Sequence, residues 1–168
     1  AKGTKSLDAY LKAMQSYQQR QVLTKEGQAR ARQLAEEALA LDPGYAMAYC
    51  HLAAALGNEA TRGVYKNVSE VLARSMELAR KAVALDDSLA QAHITLGFQY
   101  TLRRDFDRAI TQGERAVALE PNSAEIVAGL AAMLEWADRP EEAMPLFKKA
   151  MRLSPIPQPM WLLNMASA

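Results

Sequence analysis

The feature that most constrains this chain is a recurrence. Three stretches end alike: Ala38-Leu39-Ala40-Leu41-Asp42-Pro43, Ala116-Val117-Ala118-Leu119-Glu120-Pro121 and Ala150-Met151-Arg152-Leu153-Ser154-Pro155. A fourth, Ala82-Val83-Ala84-Leu85-Asp86-Asp87, has Asp87 in place of the proline. Asp87 to Pro121 and Pro121 to Pro155 are each 34 residues, whereas Pro43 to Asp87 is 44, one period plus ten. Self-similarity at one fixed period points to a row of stacked units rather than one closed core. Alanine dominates while Gly, Pro and aromatics are sparse. That composition favours closely packed helices over strands.

The interior of the period is also patterned. The third repeat reads His93, Leu96-Gly97, Tyr100, Ala109, Ala116, Pro121, and the fourth Val127, Leu130-Ala131, Leu134, Ala143, Phe147, Ala150, Pro155. The second reads Tyr49, Leu52-Ala53, Leu56, then Ser75, Ala79 and Ala82. The first is looser, with Tyr10, Ala13-Met14, Tyr17, Ala31 and Ala38. An aromatic, a Leu-Gly pair and a Tyr on one helix, then spaced alanines and a proline on the next, resembles the tetratricopeptide-repeat (TPR) family. Small residues let two helices cross closely, and large ones fill the gaps between neighbouring pairs.

The resemblance implies an all-α, right-handed α-solenoid of helix-turn-helix repeats, about four of them plus one terminal helix. Residues 1–168 then form a single array, with repeats near 6–43, 45–87, 89–121 and 123–155 and a ninth helix near 158–168 that opens with Trp161 in the aromatic slot. The A helices are expected near 6–20, 45–57, 89–103 and 123–137, and the B helices near 25–41, 68–85, 106–119 and 140–153. Thr24, Asn67 (with Glu70) and Ser123 are the expected N-caps, and Pro140 opens the last B helix ahead of Glu141 and Glu142. Pro145 falls inside that helix, where it forfeits one backbone bond and can kink it. The ten extra residues of the second repeat lie around Gly57 to Lys66. They read either as a longer loop that carries function or as a lengthened helix pair, and the second reading is preferred.

The likeness extends further. Leu7-Asp8-Ala9-Tyr10-Leu11, Thr24-Lys25-Glu26, the expanded second repeat, and a tail with Pro157, Pro159, Trp161 and Leu162-Leu163 together resemble the TPR region that follows the catalytic domain of many bacterial adenylate or guanylate cyclases. The cyclase domain itself is absent from the sequence, so no nucleotide chemistry carries over. Beginning at Ala1 rather than Met, the sequence reads as a fragment of a longer, cytoplasmic signalling protein.

Catalytic chemistry finds no footing. Lys and Arg number 20 against 19 Asp and Glu, so no basic bias marks a nucleic-acid binder. The one cysteine, Cys50, excludes an internal disulfide framework and fits a reducing compartment. No apolar run is long enough to span a membrane, and no signal-peptide core opens the chain. His51 and His93 lie in different repeats and read as packing residues, and nothing has zinc-ligand spacing. Glycines 97, 113 and 129 belong to helices rather than to a phosphate loop, and paired acids such as Glu36-Glu37 read as solvated. The expectation is no enzyme, no cofactor and no metal.

What the resemblance implies instead is a binding groove lined by the A helices. Its facing positions map to Asp8, Leu11, Gln15 and Gln18; to Met47, Cys50, Ala54 and Asn58; to Gln91, Ile94, Phe98 and Leu102; and to Glu125, Ala128, Ala132 and Trp136. None is Lys or Arg, which argues against a clamp for a partner's C-terminal carboxylate. The apolar residues around Ile94, Phe98 and Trp136 suit an apolar helix or extended segment of a protein partner. Equally open is that Phe98 and Trp136 pack against neighbouring helices. A rival function is self-association through the terminal helix, whose Trp161, Leu162, Leu163 and Met165 form an apolar face in need of a cover.

Overall fold

The computed structural model describes residues 3–22 and 24–154; the expected ninth helix lies outside them. Eight helices and no strand occur among the described residues: α1 Leu7–Arg20, α2 Lys25–Leu41, α3 Ala46–Thr61, α4 Val68–Leu85, α5 Ala90–Leu102, α6 Phe106–Leu119, α7 Ala124–Trp136 and α8 Pro140–Leu153. The chain divides into two compact units, residues 1–87 and 88–168. The fold is the expected all-α solenoid type, with each A helix against its own B helix.

Five of the eight helices, α1, α2, α4, α6 and α7, open on a side chain that satisfies an otherwise unpaired first-turn N–H group. The Thr24 hydroxyl accepts from Gly27 N at 3.1 Å, the Asn67 side chain from Glu70 N at 3.4 Å, and the Ser123 hydroxyl from Ile126 N at 3.5 Å. Ser6 caps α1 and Asp105 caps α6 in the same way. Pro140 occupies the first turn of α8, and the helix is continuous across Pro145. The recurring ending, Leu-Asp-Pro in the first repeat, is a stop signal. Asp42 follows the last turn of α2, and its carboxylate accepts from Gly44 N at 3.0 Å.

In the first unit α1 packs on α2, α2 on α3, α1 on α3, and α3 on α4. Its cores gather Ala9, Ala13, Ala38, Tyr45 and Ala48 at one end, and Ala35, Leu52 and Leu56 further on. In the second unit α5, α6, α7 and α8 repeat that scheme. There Ile94, Ala109, Ile126 and Met133 form one cluster, and Ile110, Leu130, Ala143 and Phe147 another. The Leu-Gly pair has its reason in the second unit. A Cβ on Gly97 would sit 2.6 Å from Met133 Cε and 3.1 Å from the Ala109 carbonyl, so the missing side chain makes room for the Met133 thioether and for the close pass of α6.

The ten extra residues of the second repeat lengthen the helix pair. Helix α3 has 16 residues against 13 in α5, and α4 has 18 against 14 in α6. The remainder lies in the linker 62–67. That linker is tied down by a polar knot. Tyr65 donates its hydroxyl to Glu59 at 2.5 Å, and the Arg32 guanidinium lies 3.2 Å from the same carboxylate. Glu59 is 2% exposed, so these partners offset the cost of burying a charge. Burial raises the Tyr65 pKa, and the hydrogen bond to Glu59 raises it further. Burial opposes the Arg32 charge, yet Glu59, Tyr65 and Glu36 together hold its pKa above the ordinary value.

Two measurements check this packing. Phe147 has no exposed surface, and Phe147→Ala is expected to cost about 3–5 kcal/mol in denaturant unfolding; a loss under about 1 kcal/mol contradicts the assigned core. Tyr65→Phe is expected to cost about 1–2 kcal/mol and to speed proteolysis within residues 62–67. Unchanged cleavage there removes the knot's role in holding the linker.

Candidate partner-binding face

In an α-helix, residues at i, i+3, i+7 and i+10 or i+11 share a face. The expected groove positions obey that spacing on α1, α3, α5 and α7, and their burial sorts them into two groups. Cys50, Ile94 and Ala128 are buried, at 1%, 2% and 3% exposure. They occupy the same place in three successive A helices and belong to the packing. Ile94 shows why: its Cδ1 would lie 3.0 Å from a Cβ on Gly129, so it fills the contact between α5 and α7. These three therefore lie beneath the exposed surface.

The rest remain accessible to different degrees. In the first unit Asp8, Leu11, Gln15 and Gln18 are all exposed, Leu11 at 47%. Met47, Ala54 and Asn58 are half-buried. Asn58 is engaged, donating to the Gln28 side-chain oxygen at 3.2 Å, while Gln28 donates to the Arg20 and Val22 carbonyls. This face mixes three amides with Asp8, Leu11, Met47 and Ala54. In the second unit Gln91, Leu102, Glu125 and Ala132 are half-buried, and the two rings stand out: Phe98 is 38% exposed and Trp136 59%. They are not absorbed by neighbouring helices.

Charge is distributed unevenly in the second unit. Helix α5 contains no Asp, Glu, Lys or Arg, and α7 contains Glu125 and Glu135 alone. The B helices α6 and α8 carry the larger share. The A-helix face thus offers aromatic and aliphatic surface with little charge to desolvate.

The histidines are both interior. His93 fills its aromatic slot, and its Nδ1 lies 2.8 Å from the Gln112 side-chain oxygen. His51 is 3% exposed, with its ring centroid 5.9 Å from that of Tyr17. Burial, then the nearby positive charge of Arg20, pulls its pKa from 6.5 to about 3. No group of three or more His, Cys, Asp or Glu among the described residues is arranged to hold a metal ion, and no described helix is long and apolar enough to cross a membrane. The sequence reading missed the Arg32–Glu59–Tyr65 knot. Its signal was a carboxylate at Glu59, three residues past Leu56 and seven past Leu52, on the buried stripe of α3.

No family model and no curated protein matches this chain. Solved structures do. TTC0263, a thermophilic TPR protein of Thermus thermophilus, superposes with a TM-score of 0.78 at 21% identity, covering 96% of this chain and 81% of that one. Pseudomonas aeruginosa PilF gives 0.66 at 22%, covering 95% and 67%. MamA of Desulfovibrio magneticus gives 0.57 at 20%, covering 87% and 75%. The TPR pattern read in the residues and these likenesses agree: the chain has the fold of TPR proteins.

Proposed function

We propose that this chain is a protein-binding module whose A-helix face in residues 88–154 takes a largely uncharged, apolar segment of a partner protein, with Phe98 and Trp136 as anchors. The observation that carries this is their exposure, 38% and 59%, on two helices that are otherwise buried or half-buried and almost free of charge. Aromatic side chains bring large apolar area at little entropic cost and are enriched among residues that dominate binding energy. A partner with a buried, unpaired charge would lose several kcal/mol on this face. Leu102 and Ala132 at the neighbouring register positions supply the flanking surface, while Gln91 and Glu125 form its polar edge. On α1 and α3, Leu11, Gln15, Met47 and Ala54 hold the equivalent positions.

The module serves as a regulatory or scaffolding part of a larger cytoplasmic signalling protein and performs no catalysis itself. The likeness of its opening, its second repeat and its tail to cyclase-associated TPR regions supports that setting. A second reading, self-association through residues 158–168, rests on the apolar cluster Trp161, Leu162, Leu163 and Met165.

Phe98→Asp and Trp136→Asp each test the first reading. With a partner identified by capture on the unaltered chain, each is expected to weaken binding by roughly 30-fold or more in calorimetric titration, with helix content unchanged. Arg74→Glu on the exposed side of α4 serves as control. Binding unchanged in both ring variants overturns the assignment of this face. Ile94→Asp is uninformative, because it places a charge in the core. A concentration-independent monomer in sedimentation eliminates the second reading alone.

A further inference from the structure

The first unit contains a buried titratable ring that lies outside the proposed binding face. His51, on α3, is enclosed where α1 meets α3. Neither of its ring nitrogens has a hydrogen-bond partner among the described residues. Tyr17 of α1 lies across the ring at 5.9 Å and 52°, and the Arg20 guanidinium lies 5.5 Å from the centre of the Tyr17 ring. Two charged groups that reach α3 from the other helices are engaged away from His51. From α2, Arg32 is paired with Glu59; from α4, Lys81 lies 4.6 Å over the Tyr49 ring. Glu59, two turns along α3, is held by Arg32 and Tyr65. The charge that acts on His51 is therefore Arg20, which is positive.

We infer that His51 is an acid-sensitive fastener of the first unit: adding a proton to its imidazole loosens α1 from α3. A neutral imidazole tolerates this site as a mostly apolar ring against Tyr17. An imidazolium does not. It presents two N–H donors with no acceptor in reach among the described residues, in a place shielded from water and within the field of the Arg20 cation. The folded state must exclude that proton, whereas the unfolded chain accepts it.

The direction follows from linkage. The folded pKa, about 3, lies below the ordinary 6.5. Between those values the unfolded state binds more protons than the folded one, so stability falls as pH drops from about 6.5 towards 3 and is flat above that window. Carboxylates such as Glu37 and Glu142, whose pKa values are lowered by Lys12 and Arg139, also lose stabilisation in acid. A variant that lacks only the imidazole separates the two contributions.

The experiment compares the full chain with His51→Leu by denaturant unfolding from pH 7.5 to 4.5. The unaltered chain is expected to gain roughly 100-fold more in its unfolding equilibrium constant than the variant over that range. Should the variant fail to fold, the His51 ring resonance of the unaltered chain, followed by NMR, replaces it, with no titration midpoint above pH 5 expected. Amide exchange at pH 5 is expected to rise in α1 and the facing part of α3 before α5 to α8. Superimposable pH profiles, a ring that titrates near 6.5 in the folded protein, or equal exchange in both units overturns the inference.

Discussion

Everything in this fold depends on helices approaching one another where one of them gives up its side chain. Gly97 is the clearest case. Any Cβ there would displace the Met133 thioether and crowd the Ala109 carbonyl, so its absence favours the close approach of α5, α6 and α7. Alanines with no exposed surface perform the same task elsewhere: Ala9, Ala13 and Ala38 in the first unit, Ala109, Ala116, Ala143 and Ala150 in the second. Large residues then have defined places, with Phe147, Met133 and Leu34 filling the spaces that the small ones frame. A periodic pattern of side-chain size is enough to specify repeated hairpins, because each pair can bury its apolar face only against the next.

That packing decides where function can reside. Within each unit, the second A helix lies against its own B helix, the preceding B helix and the preceding A helix, so most of its surface is consumed. Helices α5 and α7 are buried over most of their length. What escapes burial on them is a narrow stripe, and a ring placed on it stays in water unless a partner covers it. Charge is displaced to the B helices by the same pressure. The uncharged character of the proposed face is thus a consequence of how the repeats stack, and its two aromatic rings are what this sequence adds.

Much of the fold was legible in the residues, and the reasons are physical. Caps at Thr24, Asn67 and Ser123 act within one turn, so local sequence determines them. The period of small and large residues survives because it expresses contacts common to every repeat. The proposed face was legible only in register. Spacing placed Cys50, Ile94 and Ala128 on the same stripe as Phe98 and Trp136, yet the approach of a neighbouring helix buries Ile94, and such distances are a tertiary matter. The ten-residue expansion showed its length but not its division among α3, the linker and α4. The knot at Glu59 depends on Arg32, from another helix and 27 positions away, so no local pattern disclosed the pairing.

The most direct test of the central claim is a double-mutant cycle at the closest crossing, read as unfolding free energy of the full chain. Gly97→Val is expected to destabilise by about 2 kcal/mol or more, since the added branches overpack a filled space. Combining it with Met133→Ala is expected to recover part of that loss, so that the double variant is more stable than the sum of the two single changes allows. If Gly97→Val is as stable as the unaltered chain, the absence of a side chain at the crossing is not what sets the helix approach, and the account fails.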